Sequence, residues 1–246
     1  MNTEKPAKNR IYFIDELRGV AMIMMLIYHF LWALYLNGYF IFPDSVLAYK
    51  LLGMVCAFMF IIISGASANF ARRPWLNAIK IFVCGMIVWA VVKFTQLADP
   101  IDFGILHFLG SCYFFYWILK KLIVKIKPVI GMIINLVLFI VLYNVPHGGI
   151  FAFKLPEVIY STKFLFWLGF PQPTYIASDY YPLIPWIFLF FFGCFLWRMV
   201  EKVPAFMYKN HIRPLAFIGR HTLIIYLVHQ PIFFGGIWLV SKIIGG

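Results

Sequence analysis

The chain returns repeatedly to apolar, mostly uncharged runs long enough to cross a bilayer. A helix spanning the hydrocarbon core needs about 20 such residues, and only helices or closed barrels can satisfy their backbone groups in lipid. The first run covers Ile14 to Phe30 and continues to Leu36; Leu51–Phe70, Ile79–Ala98, Phe103–Leu119, Pro128–Val145, Tyr181–Trp197 and Thr222–Ser241 follow. The expected fold is therefore all-α, a polytopic membrane helix bundle of about seven transmembrane helices. With 63% hydrophobic and only 12% charged residues, the chain is too apolar for an ordinary soluble domain.

Charge placement sets the expected orientation. Of the 21 lysines and arginines, sixteen fall on one side if the N-terminus is inside, among them Arg18, Arg72, Arg73, Lys121 and Arg220. That bias follows the positive-inside rule and puts the C-terminus outside. Asp44, Asp99, Asp102, Glu157 and Asp179 then lie outside. The net charge of +12 is spread between the apolar runs rather than along one surface, which argues against nucleic acid as a partner. Residues 1–10 form a cytoplasmic tail. No small-residue cleavage site follows a short apolar core, so the first run is expected to be retained as a span. Residues 146–180 form the longest extracytoplasmic loop, of a length that usually carries a job. Within it Phe164–Phe170 is too short to cross, and an eighth span there would reverse the charge tally downstream. The whole of 1–246 is expected to be a single integral-membrane domain.

Ionisable residues inside such runs are functional hypotheses by default. Arg18 and His29 are eleven residues apart, which on a helix returns to within about 20° of the same face and rises about 16 Å. His29 is thereby expected near mid-membrane. His107 and His229 are expected roughly 7 Å below the outer face and roughly 13 Å above the inner face, by helical rise from Asp102 and Arg220. The three could converge, or each could be a polar side chain hydrogen-bonding between helices. Asp179, just before a span that opens with Pro182 and Pro185, either orients a histidine or marks the water boundary. Phe58–Ser67 ends in small and hydroxylated residues that serve close packing or line a polar channel. His211 and His221 sit at the inner boundary, suited to headgroups or phosphates. Cys56, Cys84, Cys112 and Cys194 have no metal-ligand spacing and read as small packing residues, so no metal is expected. Phosphate loops, nucleophile elbows and zinc-type His-Glu-x-x-His motifs are absent.

Together, Asp15-Glu16-Leu17-Arg18-Gly19 leading to His29, Phe60–Ser67, Asp179 through Trp186, and Gly219-Arg220-His221-Thr222-Leu223 through Tyr226-Leu227-Val228-His229-Gln230-Pro231 resemble the bacterial heparan-α-glucosaminide N-acetyltransferase-like catalytic domain family, in the transmembrane acyltransferase superfamily. The Arg-x10-His spacing is also similar to the motif of membrane carbohydrate O-acyltransferases. At His29 the chain departs from the lysosomal heparan enzyme, which has asparagine there and its histidine nearer to Phe40. The resemblance implies transfer of an acetyl or other acyl group from cytoplasmic acyl-CoA to an extracytoplasmic carbohydrate or amino sugar. It implies His29 as general base or acyl carrier, with Asp179, His107 and His229 orienting the base or binding the acceptor. Arg18, Arg72, Arg73, Lys121 and Arg220 would attract the donor's phosphates. Acetyl-CoA is then the donor substrate, the setting the bacterial cytoplasmic membrane, and a homo-oligomer remains compatible. The rival readings are a proton-coupled small-solute transporter or channel built on the buried Arg/His line, and a membrane scaffold without a site.

Overall fold

The computed structural model describes residues 10–39, 47–95, 101–177 and 179–244. Lys5, Lys8, Phe40, Asp44, Asp99 and the end of the third expected span at 96–98 lie outside the described residues. The protein is mostly helical: α1 Tyr12–Leu36, α2 Leu47–Ala68, α3 Pro74–Thr95, α4 Ile105–Lys125, α5 Pro128–Leu142, a short α6 Glu157–Tyr160, α7 Leu183–Arg198, α8 Arg213–Arg220 and α9 Thr222–Ile244.

Among the described residues, five helical segments are long and apolar enough to cross a membrane: α1, α2, α3, Pro128–His147 built on α5, and Thr222–Ile243 of α9. Two expected spans fall outside these five. α4 is long enough but carries Lys120, Lys121 and Lys125 in its last turns, and α7 has only 16 residues. α4 also overruns its apolar stretch, because lysine stems can follow a helix past its apolar end while their ammonium groups reach water. α7 starts two residues later than its apolar pattern suggests, with Pro182 as its N-cap.

The chain divides into two compact units, Met1–Phe60 with Glu201–Gly246, and Ile61–Val200. In the first, α1 packs on α8 and α9. Gly19 and Gly219 bring α1 and α8 together backbone to backbone: a Cβ on Gly19 would collide with the Leu215 carbonyl, and one on Gly219 with the Asp15 carbonyl. Met22, Met25 and Cys56 form a buried cluster against Phe60, Ile218, Ile225 and Tyr226.

The second unit pairs α3 with α4 and α5 with α7. The Cys194 thiol donates to the Gly65 carbonyl at 3.0 Å, and the Asn69 amide to the Cys194 carbonyl at 3.1 Å, tying α2 to α7. The Arg198 guanidinium donates to the carbonyls of Ile123, Val124 and Ile126 at the C-terminal end of α4, where helix carbonyls run short of backbone donors. The loop expected at 146–180 is ordered by short elements. Gly149–Ile150 and Phe153–Lys154 form a two-stranded antiparallel ribbon, joined by α6 and single 3-10 turns at Val145–His147 and Phe166–Leu168. The apolar Phe164–Phe170 segment thus holds a single 3-10 turn.

Candidate functional site

The Asp15-Glu16-x-Arg18-Gly19 signature is first a structural lock in the first unit. Asp15, 4% exposed, takes the Arg10 Nε at 2.5 Å and an Arg18 guanidinium nitrogen at 3.3 Å. Glu16, 7% exposed, accepts from the backbone N–H groups of His211 at 2.6 Å and Ile212 at 2.9 Å. Ile212 is the N-cap of α8, so Glu16 satisfies donors that a helix start leaves unpaired, where its negative charge is also favoured. Asp15 holds Arg10 more firmly charged than a free arginine. Arg18 still exposes part of its guanidinium beyond this pair.

Further along α1, His29 meets α9. The Gln230 amide nitrogen lies 3.2 Å from His29 Nδ1, and the rings of His29 and His229 are 5.0 Å apart at 53°. His229 Nδ1 lies 2.5 Å from the Tyr226 carbonyl oxygen. A carbonyl can only accept, so Nδ1 of His229 carries the proton and Nε2 holds a lone pair. That Nε2 is buried with no hydrogen-bond partner, on a side chain 4% exposed. An amide nitrogen can only donate, so His29 accepts at Nδ1 and, as a neutral ring, carries its proton on Nε2. The edge of the Tyr28 ring packs on His29, and Phe233 packs on His229.

In the second unit, Asp179 Oδ2 accepts from the Ile105 backbone N–H at 3.2 Å, and the Tyr181 N–H bonds to the Phe103 carbonyl at 3.0 Å. Asp179 therefore caps α4, whose first turn carries His107. His107 is 3% exposed, stacks on Phe103, meets the Phe82 ring edge-on, and leaves a buried Nδ1 without a partner.

The expected site residues thus divide. His29 and His229 meet in one unit; Asp179 and His107 share the start of α4 in the other. Of the expected donor-binding cations, Arg18 is tied to Asp15, whereas Arg72, Arg73, Lys121 and Arg220 are exposed. Arg220 Nε also donates back to the Ala216 carbonyl at 3.2 Å. Gln230 escaped the sequence reading as a site residue, although it stands next to His229. Among the described residues, no group of His, Cys, Asp or Glu is placed to hold a metal ion.

A cavity of about 260 Å³ opens in the second unit, lined by Tyr143, His147, Tyr175, Tyr180, Pro182 and Trp186 among others. The Tyr180 hydroxyl donates to the Phe166 carbonyl at 2.5 Å, and burial raises its pKa. Burial and the neighbouring Asp102 carboxylate raise that of Tyr175. Both phenols therefore stay protonated near neutral pH.

The family model for the catalytic domain of heparan-α-glucosaminide N-acetyltransferase matches residues 10–231. The chain belongs to that family. Among heparan-α-glucosaminide N-acetyltransferase catalytic domains, the match runs from Arg10 of the structural lock to Pro231, and includes His29, His107, Asp179, His229 and Gln230. Membership and the apolar helices make the protein an integral membrane protein of an acetyltransferase family. No curated protein and no solved structure matches the chain.

Proposed function

We propose that this protein transfers an acetyl group from cytoplasmic acetyl-CoA to a carbohydrate or amino sugar on the other face of a bacterial cytoplasmic membrane. One observation carries the reading: in a chain of an acetyltransferase family, two imidazoles stand ring to ring and one presents a buried, unpartnered lone pair. Attack on a thioester by a hydroxyl or amine requires a group that takes the nucleophile's proton, and a neutral imidazole suits it. Direct attack and passage through an acyl-histidine both begin from this arrangement.

The rest of the reading rests on charge and topology. Seven spans with the N-terminus inside put Arg18, Arg72, Arg73, Lys121 and Arg220 on the cytoplasmic side, where their charge draws in the anionic donor. The same topology puts the aromatic cavity outside, with flat apolar rings and phenolic hydroxyls suited to a pyranose ring. His107 and Asp179 belong to that acceptor side, Asp179 by holding the start of α4. The transporter reading has no counterpart in the family match.

The test is transfer of radiolabelled acetyl-CoA by the purified protein in liposomes to a panel of amino sugars and neutral oligosaccharides, with His29→Ala alongside. Label in a sugar, lost in the variant, is the expected result. A folded protein that transfers to none of them and binds no CoA would overturn the proposal.

A further inference from the structure

The two imidazoles are not equivalent, and their hydrogen bonds say which does what. We infer that His229, not His29, is the proton-accepting base, and that Gln230 is a positioning residue that holds His29 as a hydrogen-bond donor. The inference rests on the acetyltransferase reading of the preceding subsection.

Three bonds carry the assignment. The Tyr226 carbonyl keeps the His229 proton on Nδ1, which leaves Nε2 as a buried acceptor with no partner. Burying such a group unpaired carries a desolvation cost that an incoming N–H or O–H would relieve. The Gln230 amide occupies Nδ1 of His29, which leaves the Nε2–H of that ring as its donor. With ring centroids 5.0 Å apart, the lone pair and the N–H belong to neighbouring rings. Gln230 and His229 are consecutive on α9, so one turn of helix sets both: its carbonyl at Tyr226 fixes one ring and its next side chain fixes the other.

The step balances without another reactant. The acceptor's hydroxyl or amine attacks the thioester carbonyl carbon as its proton passes to His229 Nε2. The His29 Nε2–H donates to the carbonyl oxygen as negative charge gathers there, and keeps its proton. The carbon–sulfur bond then breaks, the thiolate leaves, and the proton on His229 Nε2 passes to the sulfur. Products are the acylated acceptor and free CoA thiol, with both histidines returned to their starting tautomers.

The first test needs no activity. Histidine-selective 15N labelling of the full chain in nanodiscs, with the two residues assigned from His29→Gln and His229→Gln, reports which ring nitrogen is protonated. His229 should show a protonated Nδ1 and bare Nε2, and His29 the reverse; opposite tautomers would overturn the inference even if transfer is found. The second test is kinetic. Gln230→Glu puts an obligate acceptor against His29 Nδ1, draws the proton there and strips the donor from Nε2. It should cut kcat about 100-fold, leave KM for acetyl-CoA within about twofold, and change the pH profile. Gln230→Met, similar in shape but without a hydrogen bond, should fall between Gln230→Glu and wild type. Equal losses in both, or transfer retained in His229→Gln, would contradict the roles. Correct tautomers in a folded protein that transfers no acyl group would sink the acetyltransferase reading and the assigned roles, while leaving the two ring assignments standing.

Discussion

Two histidines in this protein are almost equally buried, His107 at 3% and His229 at 4% exposed, and both leave one ring nitrogen without a partner. Their settings differ in kind. His107 is held by the rings of Phe103 and Phe82, and a Cβ at Gly85 would crowd it. His229 is bonded to the Tyr226 carbonyl and faces a second imidazole that is itself bonded to Gln230. Packing fixes where a ring lies; only a hydrogen bond fixes which nitrogen carries the proton, and acid–base chemistry depends on that. Burial alone therefore does not identify the reacting histidine.

The comparison breaks most easily at His229. Replacing it with Gln should lower the transfer rate by about 10²–10⁴-fold, the usual worth of a general base, with thermal unfolding of the detergent-solubilised protein near wild type. A similar loss in His107→Gln would erase the distinction.

Next in size is a pure stability effect in the first unit. Gly219→Val drives a side chain into the Asp15 carbonyl and should separate α1 from α8, lowering the unfolding temperature sharply and expression with it. Glu16→Gln should be milder, near 1 kcal/mol, because the amide oxygen can still accept the two backbone bonds at α8 but loses its charge at the helix start. Equal melting of Gly219→Val and wild type would mean the close approach of these helices is not structural.

Asp179→Ala should cost about 0.5–2 kcal/mol of stability, as loss of a helix cap does, and Asp179→Asn distinctly less. If Asp179→Asn instead cost as much transfer as His229→Gln, at unchanged stability, the carboxylate would be part of the chemistry. The smallest effect belongs to His107→Leu, which should keep transfer within about tenfold and register chiefly as altered packing against Phe82 and Phe103.

Much of this architecture is legible in the sequence. Apolar runs of span length mark where helices lie, because backbone satisfaction in lipid leaves no other choice for them. The spacing of Arg18 and His29 on one helix, and the placing of His229 within the last run, follow from helical rise. What cannot be read is what those side chains meet. Gln230 and His29 are 201 residues apart, and Glu16 reaches donors 195 and 196 residues away. No local pattern encodes such pairings; they come from how α1, α8 and α9 pack. The Asp15-Glu16 pair reads as a charged entrance to a span, yet both side chains are buried and spent on Arg10, Arg18 and the start of α8. The loop at 146–180 has too little periodicity to reveal its ribbon and its turns. α4 and α7 show a related difficulty: lysines at the end of one and the shortness of the other blur the boundary between a span and a packed helix.

The most direct test of the account is a single-turnover measurement of acetyl transfer from labelled acetyl-CoA in proteoliposomes, comparing wild type, His229→Gln and His107→Gln at matched amounts of folded protein. The account predicts that His229→Gln loses at least about 100-fold while His107→Gln stays within about tenfold. Equal rates in wild type and His229→Gln would contradict it.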